Sequence, residues 1–163
     1  MRTDPADAKA IEASLEIAAE RAGDLTPRVY ALLFQRQPAM EAHFFRDDDR
    51  SLIKGEMLMR VLEALLDFIG ERRYADHMIE CEVITHEGYD VPREVFATFF
   101  AIVAEVVREA CGAAWTGAME AAWRRALADL ENYVAHPEQA HNELSRGNLQ
   151  TVRGADSPIR PVA

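Results

Sequence analysis

Apolar residues recur along the chain at intervals of three and four, the spacing that lines one face of an α-helix, and no run alternates as a half-buried strand would. The pattern predicts an all-α fold of about seven helical segments. The first runs from Pro5 or Ala6 to Ala22, with Ile11, Leu15, Ile17 and Ala18 near one face and Gly23 placed to end it. Thr26 followed by Pro27 reads as an N-cap and first-turn pair, opening a helix that carries Val29, Tyr30, Leu32, Leu33 and Phe34. Pro38 forces a break, and the short segment from Pro38 ends in two aromatics, Phe44 and Phe45, ahead of a polar corner, Arg46 to Arg50.

A long helix is expected from Ser51 to Ile69, where Leu58, Val61, Leu62, Leu65 and Phe68 or Ile69 keep the helical spacing and Gly70 follows. Tyr74 to Thr85 reads as a shorter helix, with His86 to Asp90 as its end and the next turn. A further helix carries Val95, Phe96, Phe99, Ile102, Val103, Val106 and Val107 and stops at Gly112. The last starts near the cap Thr116 and reaches Ala135, with Met119, Ala122, Trp123, Ala126, Leu130 and Tyr133 inward. Short helices joined by corners suit crossed packing better than four long parallel rods. From Pro137 to Ala163 the chain turns polar, so residues 1–136 are expected to form the domain and 137–163 a flexible tail.

A chain of 163 residues has room for one domain with a sizeable core. Charge narrows the partners: 18 Lys and Arg against 28 Asp and Glu leave a net −10, which opposes binding to nucleic acid or anionic lipid. No apolar run approaches the ~20 residues of a membrane span, and the N-terminus, with its acids, lacks the apolar core of a secretory leader. A cytoplasmic location is expected. Cys81 and Cys111, with no CxxC partner, read as reduced thiols. Nucleophile elbows, phosphate loops and dinucleotide fingerprints are absent, and the one Glu-x-x-His pair, Glu138 to His141, lies in the tail, which argues against a di-iron bundle. The acidic corner Asp47 to Asp49 lacks the pattern of a calcium loop. No catalytic residue is nominated.

Four fragments then fall in a meaningful order. Val29-Tyr30-Ala-Leu-Leu-Phe34 is followed by Pro38-Ala-Met-Glu-Ala-His-Phe44, then by Thr85-His86-Glu-Gly-Tyr-Asp-Val91, then by Ala122-Trp123-Arg-Arg-Ala-Leu. In order and spacing the region from Thr26 to Tyr133 resembles the globin family, specifically the bacterial single-domain globins and the haem domain of flavohaemoglobins. The resemblance implies a globin fold holding haem b between the long helix from Ser51 and the helix ending near His86.

It also implies roles for individual residues. His86 would ligate the iron, a neutral imidazole being the usual axial ligand of globin haem; His77, nine residues earlier, is the competing candidate. Phe44 would pack on the porphyrin, with Phe45 as an ambiguous neighbour, and Tyr30 would offer its hydroxyl to a bound gas. Counting from Phe44 without a gap puts Lys54 where relatives commonly carry glutamine or histidine, and Leu58 one turn further as an apolar lid. Lys54 could reach a haem propionate, hydrogen-bond the gas or, if neutral, coordinate the iron. Val91, Phe99 and Trp123 would pack on the proximal side, and Gly55 would permit a close helix crossing. Phe96 stands where flavohaemoglobins carry a tyrosine in the proximal hydrogen-bond network, a departure that weakens the case for redox turnover. Glu82, one turn before His86, could affect its orientation, but reads first as a solvated face.

The implied function is reversible binding of dioxygen, carbon monoxide or nitric oxide by a monomer or homodimer. The alternatives are a nitric oxide dioxygenase, expected to depend on a separate reductase, and a haem-free sensor or interaction module.

Overall fold

The computed structural model describes residues 2–44 and 52–136. Phe45, the Arg46 to Arg50 corner with Asp47 to Asp49, Ser51 and the tail from Pro137 lie outside the described residues. Among the described residues there are six α-helices, α1 (Pro5–Ala22), α2 (Thr26–Arg36), α3 (Leu52–Ile69), α4 (Ala75–Glu87), α5 (Arg93–Cys111) and α6 (Gly117–Ala135). Two 3-10 segments, Pro38–Phe44 and Gly112–Ala114, complete them, and no strand is present among these residues. With Pro38–Phe44 included, these are the seven segments expected from periodicity.

The helix ends follow local chemistry. Asp4 caps α1 by accepting the Ala6 N–H at 2.8 Å, and Gly23, at φ 64°, returns its N–H to Ala19 O, a left-handed residue that glycine adopts without a Cβ penalty. Thr26 is not the cap of α2. It lies inside the helix, and Asp24 accepts its N–H at 2.9 Å instead; this bond and one to the Thr26 side chain hold the Asp24 carboxyl below its ordinary range. Thr116 does cap α6, accepting the Met119 N–H at 3.2 Å. No described helix is long and apolar enough to cross a membrane.

The core gathers where α1 packs on α5 and α6, with α2 across α5 and α3 against α4. Ile11, Val29, Leu65, Phe68, Val103 and Leu130 are fully or almost fully buried there. Ser14 and Thr26 are the buried polar residues among those described. The Ser14 hydroxyl donates to Ile11 O at 2.6 Å and accepts from the Trp123 indole at 2.9 Å, which ties α1 to α6.

Helix α4 is held from outside itself. Tyr74 offers no side-chain cap, so Asp67 at the end of α3 accepts the N–H groups of Tyr74 and Ala75 at 2.9 and 2.8 Å. Partial burial pushes the Asp67 carboxyl up, but the backbone donors of Tyr74, Ala75 and Arg73 outweigh it and hold the group below its ordinary value. Arg72, itself at φ 54°, stacks 3.8 Å from the Phe68 ring centre and pairs with Asp76 at 2.7 Å. Tyr133 of α6 donates to Asp76 O at 2.8 Å. Burial, then the charges of Asp76 and Glu80, push the Tyr133 phenol up to about 12.

Candidate functional site

The last turn of α4 carries the most informative side chain. The helix runs on through His86 to Glu87 rather than ending at Thr85, because Gly88 N–H reaches back to Ile84 O and Val91 N–H to His86 O. His86 is therefore a helical residue rather than a turn residue. Its Nδ1 lies 2.7 Å from Glu82 O. A carbonyl can only accept, so in the neutral ring Nδ1 carries the proton and Nε2 keeps the lone pair.

His86 lines a cavity of about 400 Å3 between α3 and α4, floored by α5 and closed by the Pro38–Phe44 segment. Most of the wall is apolar, from Leu33 and Met40 through Met57, Val61 and Ala64 to Phe99 and Phe100. Its polar members are His43, Arg60, Glu82, Thr85, His86 and Tyr89. The volume lies within the ~300–1,000 Å3 of small-molecule and cofactor sites, and the mixture of apolar wall with a few convergent polar groups is typical of them.

Phe44, Val91, Phe96 and Phe99, all nominated from sequence, stand on this wall with His86. The Phe96 ring meets the imidazole at 4.9 Å between centres and 65° between planes, so an aromatic face limits how far the histidine can turn. His77 does not line the cavity; it is exposed, 3.7 Å from the Cys81 sulfur.

Other nominated residues lie elsewhere. Tyr30 is 2% exposed and sits behind the wall, its ring 5.2 Å from Phe44, 5.6 Å from Phe99 and 5.9 Å from Phe34. The Lys54 ammonium lies 5.6 and 5.7 Å from the centres of Phe34 and Phe44, within cation–π reach, and off the cavity wall. Leu58 is buried in the core. The α3 residues that do face the cavity are Ile53, Met57, Arg60, Val61 and Ala64. The pair four apart is thus Ile53 and Met57, one residue earlier than the ungapped count from Phe44, and one residue turns a helical side chain by about 100°.

Trp123 is also away from the cavity: it is 2% exposed, bonded to Ser14, and borders a shallow hollow between α5 and α6. Phe45 falls outside the described residues.

Sequence reasoning passed over His43 and Arg60, and preferred a solvated face for Glu82 over an effect on His86. Arg60 was legible as the polar member of the stripe 53, 57, 60, 61, 64, which keeps the helical spacing as well as the core stripe does. Glu82 was legible from its position one turn before His86. His43 carries no such signal beyond standing next to Phe44.

Neither the curated proteins nor the solved structures compared with this chain give a match. The sequence pattern that defines the globin family, by contrast, matches residues 27–134, a span that begins in α2, takes in the whole cavity wall and ends one residue before α6 does. Because that match covers most of the chain and the helices it spans fold around one apolar cavity with a histidine on its wall, the chain belongs to the globin family.

Proposed function

We propose that the protein is a haem-binding globin of the bacterial single-domain type, which holds haem b in the cavity through His86 and binds a diatomic gas reversibly. The observation that carries this reading is the placement of His86. It stands on the wall of an apolar cavity with Nδ1 committed to Glu82 O, the tautomer that leaves the Nε2 lone pair for a metal.

Haem b, when bound, would supply a ferrous iron able to bind dioxygen, carbon monoxide or nitric oxide. The chain's own part is to bind, orient and exclude water. Phe44, Phe96 and Phe99 give the macrocycle apolar contact, and Phe96 restrains the imidazole plane. The exposed His43, at the rim of the cavity, suits a carboxylate that haem keeps at its polar edge. Ile53 and Met57 make the α3 side of the cavity apolar, which favours gas binding with little hydrogen-bond support from that helix.

The test is the visible spectrum of protein produced with haem precursor, in ferric, reduced and carbon-monoxide-bound forms, beside His86→Ala and His77→Ala. A Soret band that shifts with carbon monoxide, persists in His77→Ala and is lost or altered in His86→Ala is the expected result. A folded protein that stays colourless and takes up no added haemin overturns the proposal.

A further inference from the structure

Glu82 touches the proposed ligand twice. Its backbone carbonyl takes the Nδ1 proton at 2.7 Å, and its carboxylate Oε2 lies 3.6 Å from the same nitrogen. The second distance is too long for a hydrogen bond, so the carboxylate acts on the ring through its charge. The Glu82 side chain lines the cavity and is 37% exposed, so water screens its charge in part and the short distance to the ring carries the effect. Its other oxygen, Oε1, lies 3.9 Å from Arg60 Nη1, an exposed guanidinium on the facing wall of α3. On the remaining side of the imidazole stands Phe96, whose ring has no acceptor to offer Nδ1–H.

We propose that Glu82 is a positioning residue for His86: its carboxylate increases electron donation from the imidazole to a bound iron, and Arg60 moderates that effect by drawing on the same carboxylate. The inference rests on the haem reading above. An anion beside Nδ1–H polarises the N–H bond and raises electron density at Nε2, which strengthens the iron–nitrogen bond and favours the ferric state. In this chain the electron-rich partner of the histidine is thereby supplied from its own helix, by the residue four positions earlier. Arg60, long and solvent-facing, holds Oε1 loosely, so the two groups form an adjustable pair.

The experiment compares haem-loaded wild type with Glu82→Gln, Arg60→Gln, the double variant, and Glu80→Gln as a charge control; Glu80 is on the same helix but lies toward Tyr133. Three quantities are read: the Soret band for haem uptake, the iron–histidine stretching frequency of the ferrous form, and the ferric–ferrous potential. In Glu82→Gln the stretch is expected to fall and the redox equilibrium to move about tenfold toward ferrous, equivalent to about 59 mV for one electron. Arg60→Gln is expected to raise the stretch in the wild-type background and to leave it unmoved when Glu82 is already glutamine. Glu80→Gln should match wild type in both.

If Glu82→Gln takes up haem normally while its stretch and potential equal those of wild type, the inference fails and the haem reading stands. Equal shifts in Glu80→Gln also overturn it, because any negative charge on α4 would then do the same. Absence of a Soret band from wild type overturns both.

Discussion

Replacing Ser14 by alanine should cost far more than the loss of one hydroxyl suggests, because Ser14 is fully buried and its Oγ is the acceptor for the indole N–H of Trp123, itself 2% exposed. Without Oγ that donor is left buried and unpaired, at about 1–3 kcal/mol. The Ser14 hydroxyl's own bond to Ile11 O is lost too, while alanine recovers up to ~0.5 kcal/mol of helix propensity in α1. A net destabilisation of ~1–2 kcal/mol follows. In a Trp123→Phe background there is no indole N–H to strand, so Ser14→Ala should fall within ~0.5 kcal/mol of neutral. The coupling between the two sites is then ~1–2 kcal/mol, measurable by urea unfolding of the four proteins followed by circular dichroism at 222 nm, with the midpoint moving and the slope constant. Each kcal/mol should also lower the melting temperature by ~2–4 °C in a chain of this size. Equal costs for Ser14→Ala in both backgrounds would refute the reasoning. The same cycle separates the core role of Trp123 from a role on the cavity wall, since a core role changes stability and leaves the Soret position of the haem-loaded protein unmoved.

Three further outcomes are expected. Tyr133 binds its proton more tightly folded than unfolded, so its contribution is complete below pH 10, declines as the pH rises and is lost by about pH 12; Tyr133→Phe should unfold without that added decline between pH 10 and 12, read as urea midpoints across the range. Cys81 is exposed whereas Cys111 is buried, donates to Ser14 O at 3.2 Å and is pushed up by burial, so a thiol reagent should label one cysteine in the native protein and the second only in urea. Asp67→Ala should cost ~1 kcal/mol at neutral pH, and the difference from wild type should close as the pH falls below ~4, because the depressed Asp67 carboxyl stabilises only while it is ionised.

The helices were legible because their ends are written locally: Pro5 at one end of α1 and Gly23 at the other, Thr116 before α6 and Gly112 after α5. Cap assignments were less secure where two residues compete, as Asp24 and Thr26 do, since both types cap and only the backbone path decides between them. In the site, residues close in sequence to a strong marker came out on the wall: Phe44, His86 itself and Val91. Lys54 and Leu58 did not, because their placement relied on counting across residues 45–51, and an error of one position exchanges the cavity face of α3 for the core face. Both faces are apolar, so hydropathy alone gives no warning. Trp123 shows a second limit. An inward tryptophan can face either side of the molecule, and what fixes this one is a hydroxyl 109 residues away.

Helix α4 carries His86, and its polar anchors come from other elements while Ala75, Ile79 and Val83 bury its inner face. Its first turn is capped by Asp67 from α3, and Asp76 is gripped by Arg72 through its carboxylate and by Tyr133 through its carbonyl. These contacts lie near the N-terminus, whereas His86 stands almost three turns away at the other end, steadied by the backbone bonds from Tyr89 and Val91 to its carbonyl. A shift of the N-terminal anchors tilts the helix about its buried Ile79 and Val83 and so moves the far end. Loss of the Asp67 cap therefore bears on where His86 meets the cavity as well as on stability. On the proposed haem reading, Asp67→Ala loaded with haem should show a broadened iron–histidine stretch with the Glu82 contacts intact, and an unchanged, narrow band would mean that the far end of α4 is held by the cavity itself.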